Sequence, residues 1–407
     1  MSSSVPTAVV DPAAHAAWLL SEPVQRSSLA LAFPETSASS ATVHVEGRNF
    51  YPPMLHDIAS ASSSIHINQF GFKPGDIGEA FASALLTKAA EGVRVRMVVD
   101  RQGSDPDRSS RALYDRLTEG GIEVYVVRAT QVRAPHGRLG AGGETRWNLG
   151  QLGHIDHRKL VVVDGRVGWV GGAGVEDHFQ DGRFHDLFVQ VTGPVVSQLQ
   201  LVFLATFRWL GGDVDPQEVG SLFPEHPATH GDTPAVVLHN APGKYRPITD
   251  AIAAAMDGAS RTLDAVNPYV TDRGMVTRMK NAASRGVRVR LFVPADANNW
   301  ACAAAQRFHH RGLLDAGVEI LEYPTMLHAK AFVRDGEDVL IGTCNLEAWS
   351  LRRFFEIDVR VRSTDLAVQF EERFSAPAAA ASSPGRAVSG LKDRVRTTAF
   401  AAISPLL

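Results

Sequence analysis

The chain alternates short apolar stretches of strand type with longer amphipathic stretches of helix type. Ile65 and Ile67 alternate with polar neighbours, which is typical of a β-strand. Ile77, Phe81 and Leu85 follow at fourfold spacing, which predicts a helix with one apolar face. Because strands and helices continue to alternate, the pattern predicts βαβ units and a mainly parallel sheet.

The second part of the chain repeats the first. The sequence AAEGVRVR at residues 89–96 returns as ASRGVRVR at residues 283–290, and GGIEV at 120–124 returns as AGVEI at 316–320. Two matched copies of this length predict an internal duplication. We expect an N-terminal extension of low order at 1–42, a first half at 43–212, a linker at 213–234, a second half at 235–375 and a tail at 376–407.

The tail carries a short amphipathic helix. Its predicted apolar face consists of Leu391, Val395, Ala399, Ala402, Ile403 and Leu406, with basic residues elsewhere. Packing of this face against the protein is the first interpretation, and contact with a membrane surface is the alternative.

Composition narrows the class of protein. A net charge of -3 and a pI near 6.6 argue against a nucleic-acid binder. Cys302 and Cys344 are too few for a disulfide framework or a structural zinc site. The start has no pattern of a secretory signal, and no apolar run reaches spanning length. We therefore expect a cytoplasmic protein, with peripheral contact at the inner face of the cell membrane as a further possibility.

One short pattern occurs twice, at His157–Asp164 and at His328–Asp335, with the spacing His-x-Lys-x4-Asp. A His and a Lys two residues apart on a strand point to the same face. The lysine supplies charge for a phosphate, and the histidine can act as nucleophile or proton carrier. A reading of the histidines as zinc ligands is disfavoured, because no Cys/His/Asp cluster fits tetrahedral spacing.

The doubled motif resembles the phospholipase D superfamily. Gly342-Thr343-Cys344-Asn345 is similar to the Gly-Ser-x-Asn of that family, and Gly171–Gly174 occupies the same place after the first motif. Residues 345–351 and 355–356 are similar to the bacterial cardiolipin synthase branch. The resemblance covers roughly residues 43–375. It implies a duplicated α/β phospholipase D-like fold, with two pseudo-twofold-related halves, mainly parallel sheets and one active site at their interface.

The resemblance also implies a mechanism. One histidine attacks phosphorus and forms a phosphohistidine, and the other protonates the leaving alcohol. We assign His157 as the nucleophile and His328 as the general acid and base, although the pseudo-symmetry leaves their order open. Lys159 and Lys330 would bind the nonbridging oxygens, and Asn345 would donate another hydrogen bond to them.

Two carboxylates are candidates for orienting the histidines, as in other histidine-based sites. Asp186 follows His157 by 186 − 157 = 29 residues, and Glu356 follows His328 by 356 − 328 = 28 residues. Their matching placement is the reason for choosing them.

The remaining motif residues are given smaller roles. Asp164 and Asp335, at the far ends of their strands, are expected to stabilise a turn or an ion pair. Gly172 and Thr343 are expected to bind substrate. Gly174 occupies the position where the family usually has Asn. Three consequences are open: the pocket is asymmetric, or a water or an arginine from the Gly- and Arg-rich loop at 129–153 replaces the missing donor, or activity is reduced. That loop is interpreted as a lid or a disordered insertion.

These observations favour an enzyme that cleaves or transfers phosphodiesters of phospholipids, similar to cardiolipin synthase or phospholipase D. It would act as a monomer on a phospholipid substrate, without metal or other cofactor. A nuclease on the same fold is the alternative, and a noncatalytic protein is a weaker one.

Overall fold

The structure is a computed structural model that describes residues 29, 31–128, 154–226, 233–243 and 245–403. The loop predicted at 129–153, with its arginines, lies outside these residues. So do Leu406 of the predicted tail helix and most of the predicted N-terminal extension.

The described strands and helices alternate along most of the chain. The strands are β1 Thr36–Ala38, β2 Ser40–Val45, β3 Ser64–Gln69, β4 Arg94–Asp100, β5 Glu123–Val127, β6 Lys159–Val163, β7 Val167–Gly171, β8 Phe184–His185, β9 Leu187–Thr192, β10 Thr233–Asn240, β11 Thr262–Val266, β12 Arg288–Pro294, β13 Glu319–Tyr323, β14 Met326–Leu327, β15 Ala331–Arg334, β16 Asp338–Gly342, β17 Glu356–Arg362 and β18 Ser383–Pro384. The helices are α1 Gly47–Ala59, α2 Asp76–Ala90, α3 Arg101–Ser104, α4 Arg111–Glu119, α5 Asp177–Gln180, α6 Val195–Trp209, α7 Val219–Leu222, α8 Pro247–Gly258, α9 Arg273–Ser284, α10 Trp300–Asp315, α11 Ala348–Arg352, α12 Thr364–Phe370, α13 Ala376–Ala381 and α14 Leu391–Ile403. A 3₁₀ turn at Pro216–Glu218 and a π-helical turn at Glu371–Ser375 complete them.

Two large sheets confirm the predicted duplicated α/β fold. The first sheet has the strand order β2-β9-β7-β6-β3-β4-β5, and the second has β1-β10-β17-β16-β15-β11-β12-β13-β18. Within each half, three parallel strands joined by helices form the βαβ units that the pattern predicts, namely β3-β4-β5 and β11-β12-β13.

The expectation of mainly parallel sheets is wrong. Every pairing between β6, β7, β9 and β2 in the first sheet is antiparallel, as are the pairings of β3 with β6 and of β11 with β15. The physical reason lies in the connections. The Asp164-Gly165 turn joins β6 directly to β7, and a hairpin reverses the chain where a crossover helix would keep it parallel.

Helix α6 lies between the two sheets and explains why the halves form one body. Nearly all of its residues are buried, on every side of the helix, as expected for a helix with apolar residues all round. Gln198 of this helix accepts a hydrogen bond from Val237 N of the second half at 2.8 Å. One apolar core then continues from strands of the first sheet to strands of the second.

The N-terminal strands connect both sheets. β1 pairs with β10 in the second sheet, and β2 pairs with β9 in the first. The boundary predicted at residue 43 therefore falls inside β2. The domain boundaries as a whole stay predictions.

Candidate active site

Backbone hydrogen bonds attach the start of each motif to a segment of the opposite half. His157 N donates to Phe355 O at 2.9 Å, and Phe355 N donates to Ile155 O at 2.9 Å. In the other motif, His328 N donates to His185 O at 2.8 Å, and β14 pairs with β8 as a short parallel ladder. The backbone N–H of each motif histidine is therefore hydrogen-bonded to the backbone of the opposite half.

The two carboxylates chosen from the sequence contact the histidines crosswise. The Nδ1 atom of His157 lies 3.0 Å from both carboxylate oxygens of Glu356. The Nδ1 atom of His328 lies 2.7 Å from Oδ2 of Asp186. Sequence spacing placed each carboxylate with the histidine of its own half, and this pairing is wrong. The backbone bonds between the halves bring Phe355 beside His157 and His185 beside His328. The residues that follow them, Glu356 and Asp186, therefore face the histidine of the opposite half.

With Nδ1 held by Glu356, the imidazole of His157 has Nε2 available for chemistry. Nε2 of His328 lies 3.0 Å from Nζ of Lys330. Burial raises the pKa of Glu356 to about 7, although Lys159 and a hydrogen bond from Thr343 act in the opposite direction. Burial acts the same way on Asp186, but the hydrogen bond from His328 and its charge lower the Asp186 pKa overall. The two pairs are thus chemically different despite the pseudo-symmetry.

The four basic groups of the motifs are buried close together, and both lysines face the carboxylates of Glu356 and Asp186. Burial and the charge of Lys330 lower the pKa of Lys159 to about 7, and burial lowers that of Lys330 to about 8. Burial and Lys330 lower the pKa of His328 to about 3, and burial with the two lysines lowers that of His157 well below its usual value. A phosphodiester anion would raise all four pKa values, because an opposite charge favours the protonated forms.

The predicted turn carboxylates lie away from these groups. The Asp164 carboxylate accepts hydrogen bonds from the backbone N–H groups of Ser62, Ser63 and Ser64 at 2.8 to 2.9 Å. Asp335 does the same for Ser260–Thr262 in the other half. Both aspartates have positive φ, 52° and 55°, a conformation that Asp tolerates better than most residues. They anchor the turn after each motif strand to the start of its neighbour.

Thr343 and Gly172, whose binding of substrate stays a prediction, lie against the orienting carboxylates. The Thr343 hydroxyl donates to Oε2 of Glu356 at 2.5 Å and accepts from Ile357 N at 2.9 Å. At the matching position, a Cβ on Gly172 would lie 2.4 Å from Oδ1 of Asp186. Thr343 thus orients Glu356 by a hydrogen bond, and Gly172 leaves the space that the Asp186 carboxylate occupies.

The asymmetry predicted at Gly174 has a structural cause. A Cβ there would lie 2.8 Å from both the Glu176 carboxylate and Gly71 O. Glu176 is held by an ion pair with Lys73 at 2.9 Å. Asn345 in the other half is buried, and its side-chain carbonyl has no hydrogen-bond partner among the described residues. The Glu176 carboxylate therefore lies against the turn at Gly174, where the first half has glycine in place of the asparagine of the second half.

Aromatic rings surround both histidines, and most of them were not identified from the sequence. The ring centroid of His157 lies 5.0 Å from Phe70 and 6.0 Å from Phe354. The ring of His328 lies 5.5 Å from Phe179 and 6.0 Å from Phe184. These rings limit the access of water to the imidazoles. No sequence signal distinguishes them from ordinary core aromatics.

None of the described helices is both long and apolar enough to cross a membrane. In the same part of the chain, no group of three or more His, Cys, Asp or Glu side chains is arranged to hold a metal ion.

Two His-Lys pairs that converge between duplicated α/β halves define the class of phospholipase D-like enzymes. The sequence matches the family model described as "Cardiolipin synthase, PLD-like domain" over residues 54–204 and 252–377, and the chain belongs to this family. The predictions of the family and of a phospholipase D-type enzyme are confirmed.

Known relatives agree with this assignment. The cardiolipin synthase of Geobacillus kaustophilus is 30% identical over 84% of this chain, which spans 68% of that protein. Cardiolipin synthase A of Pseudomonas syringae is 28% identical over 84% of this chain and 69% of its own length. The solved phosphatidylserine synthase of Haemophilus influenzae has the same fold, with a TM-score of 0.71, 11% identity, and coverage of 98% of this chain and 100% of that one.

Proposed function

We propose that the protein is a phosphatidyltransferase that makes cardiolipin from two molecules of phosphatidylglycerol through a phosphohistidine. The observation that carries the proposal is the pair of histidines oriented crosswise by Glu356 and Asp186, beside two buried lysines. The names of the curated relatives support the choice of lipid. The family's chemistry supports the choice of intermediate.

The reaction runs in two displacements at one phosphorus. Nε2 of His157 forms a P–N bond while the bond to the glycerol headgroup breaks, and His328 gives its proton to the departing glycerol oxygen. A hydroxyl of a second phosphatidylglycerol then attacks, His328 takes its proton, and the P–N bond breaks. Lys159 and Lys330 stabilise the charge on the nonbridging oxygens in both steps.

The proposal is tested with purified protein and phosphatidylglycerol vesicles in the presence of a chelator. We expect cardiolipin and free glycerol in equal amounts, measured by mass spectrometry, with no turnover by a His157→Ala preparation. Supercoiled plasmid DNA, incubated in parallel, should stay intact. Nicking of the plasmid without lipid turnover would contradict the proposal and favour a nuclease. Phosphatidic acid as the only product would make water the acceptor.

A membrane surface is the proposed partner, and helix α14 is the element that would touch it. Leu391 and Val395 on this helix are 78% and 64% exposed, while Thr397 and Ala401 on another face are buried against the protein. The first interpretation of the apolar face, that it packs inward, therefore does not hold for these two side chains. Lys392, Arg394 and Arg396 are exposed on the same helix, which suits an anionic bilayer.

The helix also leads toward the site. Its residue Ala402 lines an open pocket of about 510 Å³ together with Arg273, Arg352 and Trp349. The Trp349 ring lies 6.1 Å from Phe354, whose ring lies 6.0 Å from that of His157. A helix bound to the bilayer surface would thus place a basic pocket between the lipid headgroups and the catalytic histidine.

Replacement of Leu391 and Val395 with glutamate is expected to weaken binding to phosphatidylglycerol vesicles by roughly tenfold per residue. Burial of one such side chain in the interface is worth about 1.5 kcal/mol or more. Vesicle sedimentation measures the effect. The matched control is Val368→Glu, which changes a residue 53% exposed on another helix. Equal binding of the α14 variant and the control would contradict the role of α14.

A further inference from the structure

The first half of the site has an unused side-chain amide beside its catalytic lysine. Gln69 is the last residue of β3 and pairs directly with Lys159 of β6 in antiparallel register. Side chains at directly opposed positions leave a sheet on the same face. The carboxamide of Gln69 is therefore on the lysine's side of the strand, in a residue only 1% exposed.

The second half shows what the corresponding residue does when its amide is used by the protein. Asn267 follows the last paired residue of β11, Val266, which lies opposite Ala331. It thus occupies the same place beside Lys330. Its Oδ1 accepts from Leu346 N at 3.0 Å, and its Nδ2 donates to Cys344 O at 3.1 Å. Asn267 therefore fixes the turn that carries Asn345.

Gln69 does not make these contacts. The turn at Gly174 is held by other groups, since Val175 N donates to Gly71 O at 2.8 Å and Tyr51 donates to Gly174 O. The Gln69 Oε1 atom is buried, and it has no hydrogen-bond partner among the described residues. A buried carboxamide without a partner is destabilising, so its retention beside the catalytic lysine calls for a ligand.

We propose that Gln69 is a substrate-binding residue that supplies the hydrogen-bond donor missing at Gly174. Its carboxamide donates Nε2–H to a nonbridging phosphate oxygen on the side of the first half, as Asn345 is proposed to do on the other. The two ends of a carboxamide exchange places by rotation about its last torsion, so the unpartnered end of Gln69 can present its donor to the phosphate. The inference rests on the proposed function.

The first test measures the binding of vanadate, a mimic of five-coordinate phosphorus, by isothermal titration calorimetry. Gln69→Met keeps the volume of the side chain and removes the amide. We expect it to weaken vanadate binding at least about tenfold, because one hydrogen bond to the developing charge is lost. The matched control is Asn68→Leu, which also removes a buried amide with an unpartnered carbonyl, from the adjacent position on the opposite face of β3.

The second test is turnover of phosphatidylglycerol by the same variants. For Gln69→Met we expect kcat to fall about 100-fold with a smaller change in KM, since the donor acts on charge that develops in the transition state. Both variants are checked for their unfolding temperature. Equal losses of vanadate affinity for Gln69→Met and Asn68→Leu would overturn the inference and leave the proposed function standing. Wild-type protein that bound no vanadate and turned over no lipid would overturn both.

Discussion

Alanine at His157 is expected to abolish lipid turnover, with a loss of at least about 10⁴-fold in kcat. The side chain is the proposed nucleophile, and its removal takes away the atom that forms the proposed covalent intermediate. His328→Ala is expected to cost about 10² to 10⁴-fold, the usual contribution of a general acid and base. Turnover of phosphatidylglycerol measures both. His56→Ala, at an exposed histidine, is the control and should retain full activity.

A substrate with a nitrophenolate leaving group separates the two roles, because this group departs without a proton. His328→Ala should then still form the phosphohistidine, which accumulates because the second displacement lacks its base. His157→Ala should form none. A phosphoenzyme found in His157→Ala and absent from His328→Ala would reverse the assignment. Full activity of both variants would remove the catalytic interpretation of the motifs.

The duplicated fold could be predicted because the repeats carry it in local sequence. Gly92 and Gly286 both have φ near 90°, and each ends a helix before a strand with the sequence Val-Arg-Val-Arg. A turn with this positive φ favours glycine, so the same residues predict the same structure in both halves. The direction of the strands after each motif was missed, because two adjacent apolar stretches do not show whether the chain reverses between them.

The crossed carboxylates could not be predicted, for a different reason. Equal spacing from each histidine to a carboxylate identifies the residues but carries no information about which half each one faces. That depends on the backbone bonds of Phe355 and His185 to the opposite motifs, which are contacts between residues far apart in the chain. Gln69 was missed for the same reason, because its role depends on its register with Lys159 and on the partners of Asn267.

Glu356→Gln and Asp186→Asn are each expected to lower kcat/KM by about 10² to 10⁴-fold. An amide in place of the carboxylate neither favours the right tautomer nor stabilises the imidazolium that forms during proton transfer. The steady-state rate on phosphatidylglycerol measures the loss. Asp164→Asn serves as the control, because it changes a motif carboxylate that binds backbone N–H groups away from the histidines. It should lower the unfolding temperature and keep turnover.

The pH profile should distinguish the two carboxylates. An orienting carboxylate acts in its ionised form, so activity falls when the pH drops through its pKa. The pKa of Glu356 is raised to about 7, which predicts an acid limb of kcat/KM near neutral pH. The pKa of Asp186 is lowered, so its limb lies at more acidic pH. Glu356→Gln should remove the limb near pH 7, whereas Asp186→Asn should leave it in place.

Double-mutant cycles on the free energy of unfolding test the crossed pairing directly. Residues in contact couple by about 0.5 to 3 kcal/mol, and residues without shared partners combine additively within about 0.5 kcal/mol. The cycle of His157→Ala with Glu356→Gln should therefore show coupling, and so should that of His328→Ala with Asp186→Asn. The cycle of His157→Ala with Asp186→Asn should show weaker coupling, because these two groups interact with each other only through the lysines that both of them face. Coupling of His157 to Asp186 in place of Glu356 would mean that each half orients its own histidine, which would refute the crossed arrangement.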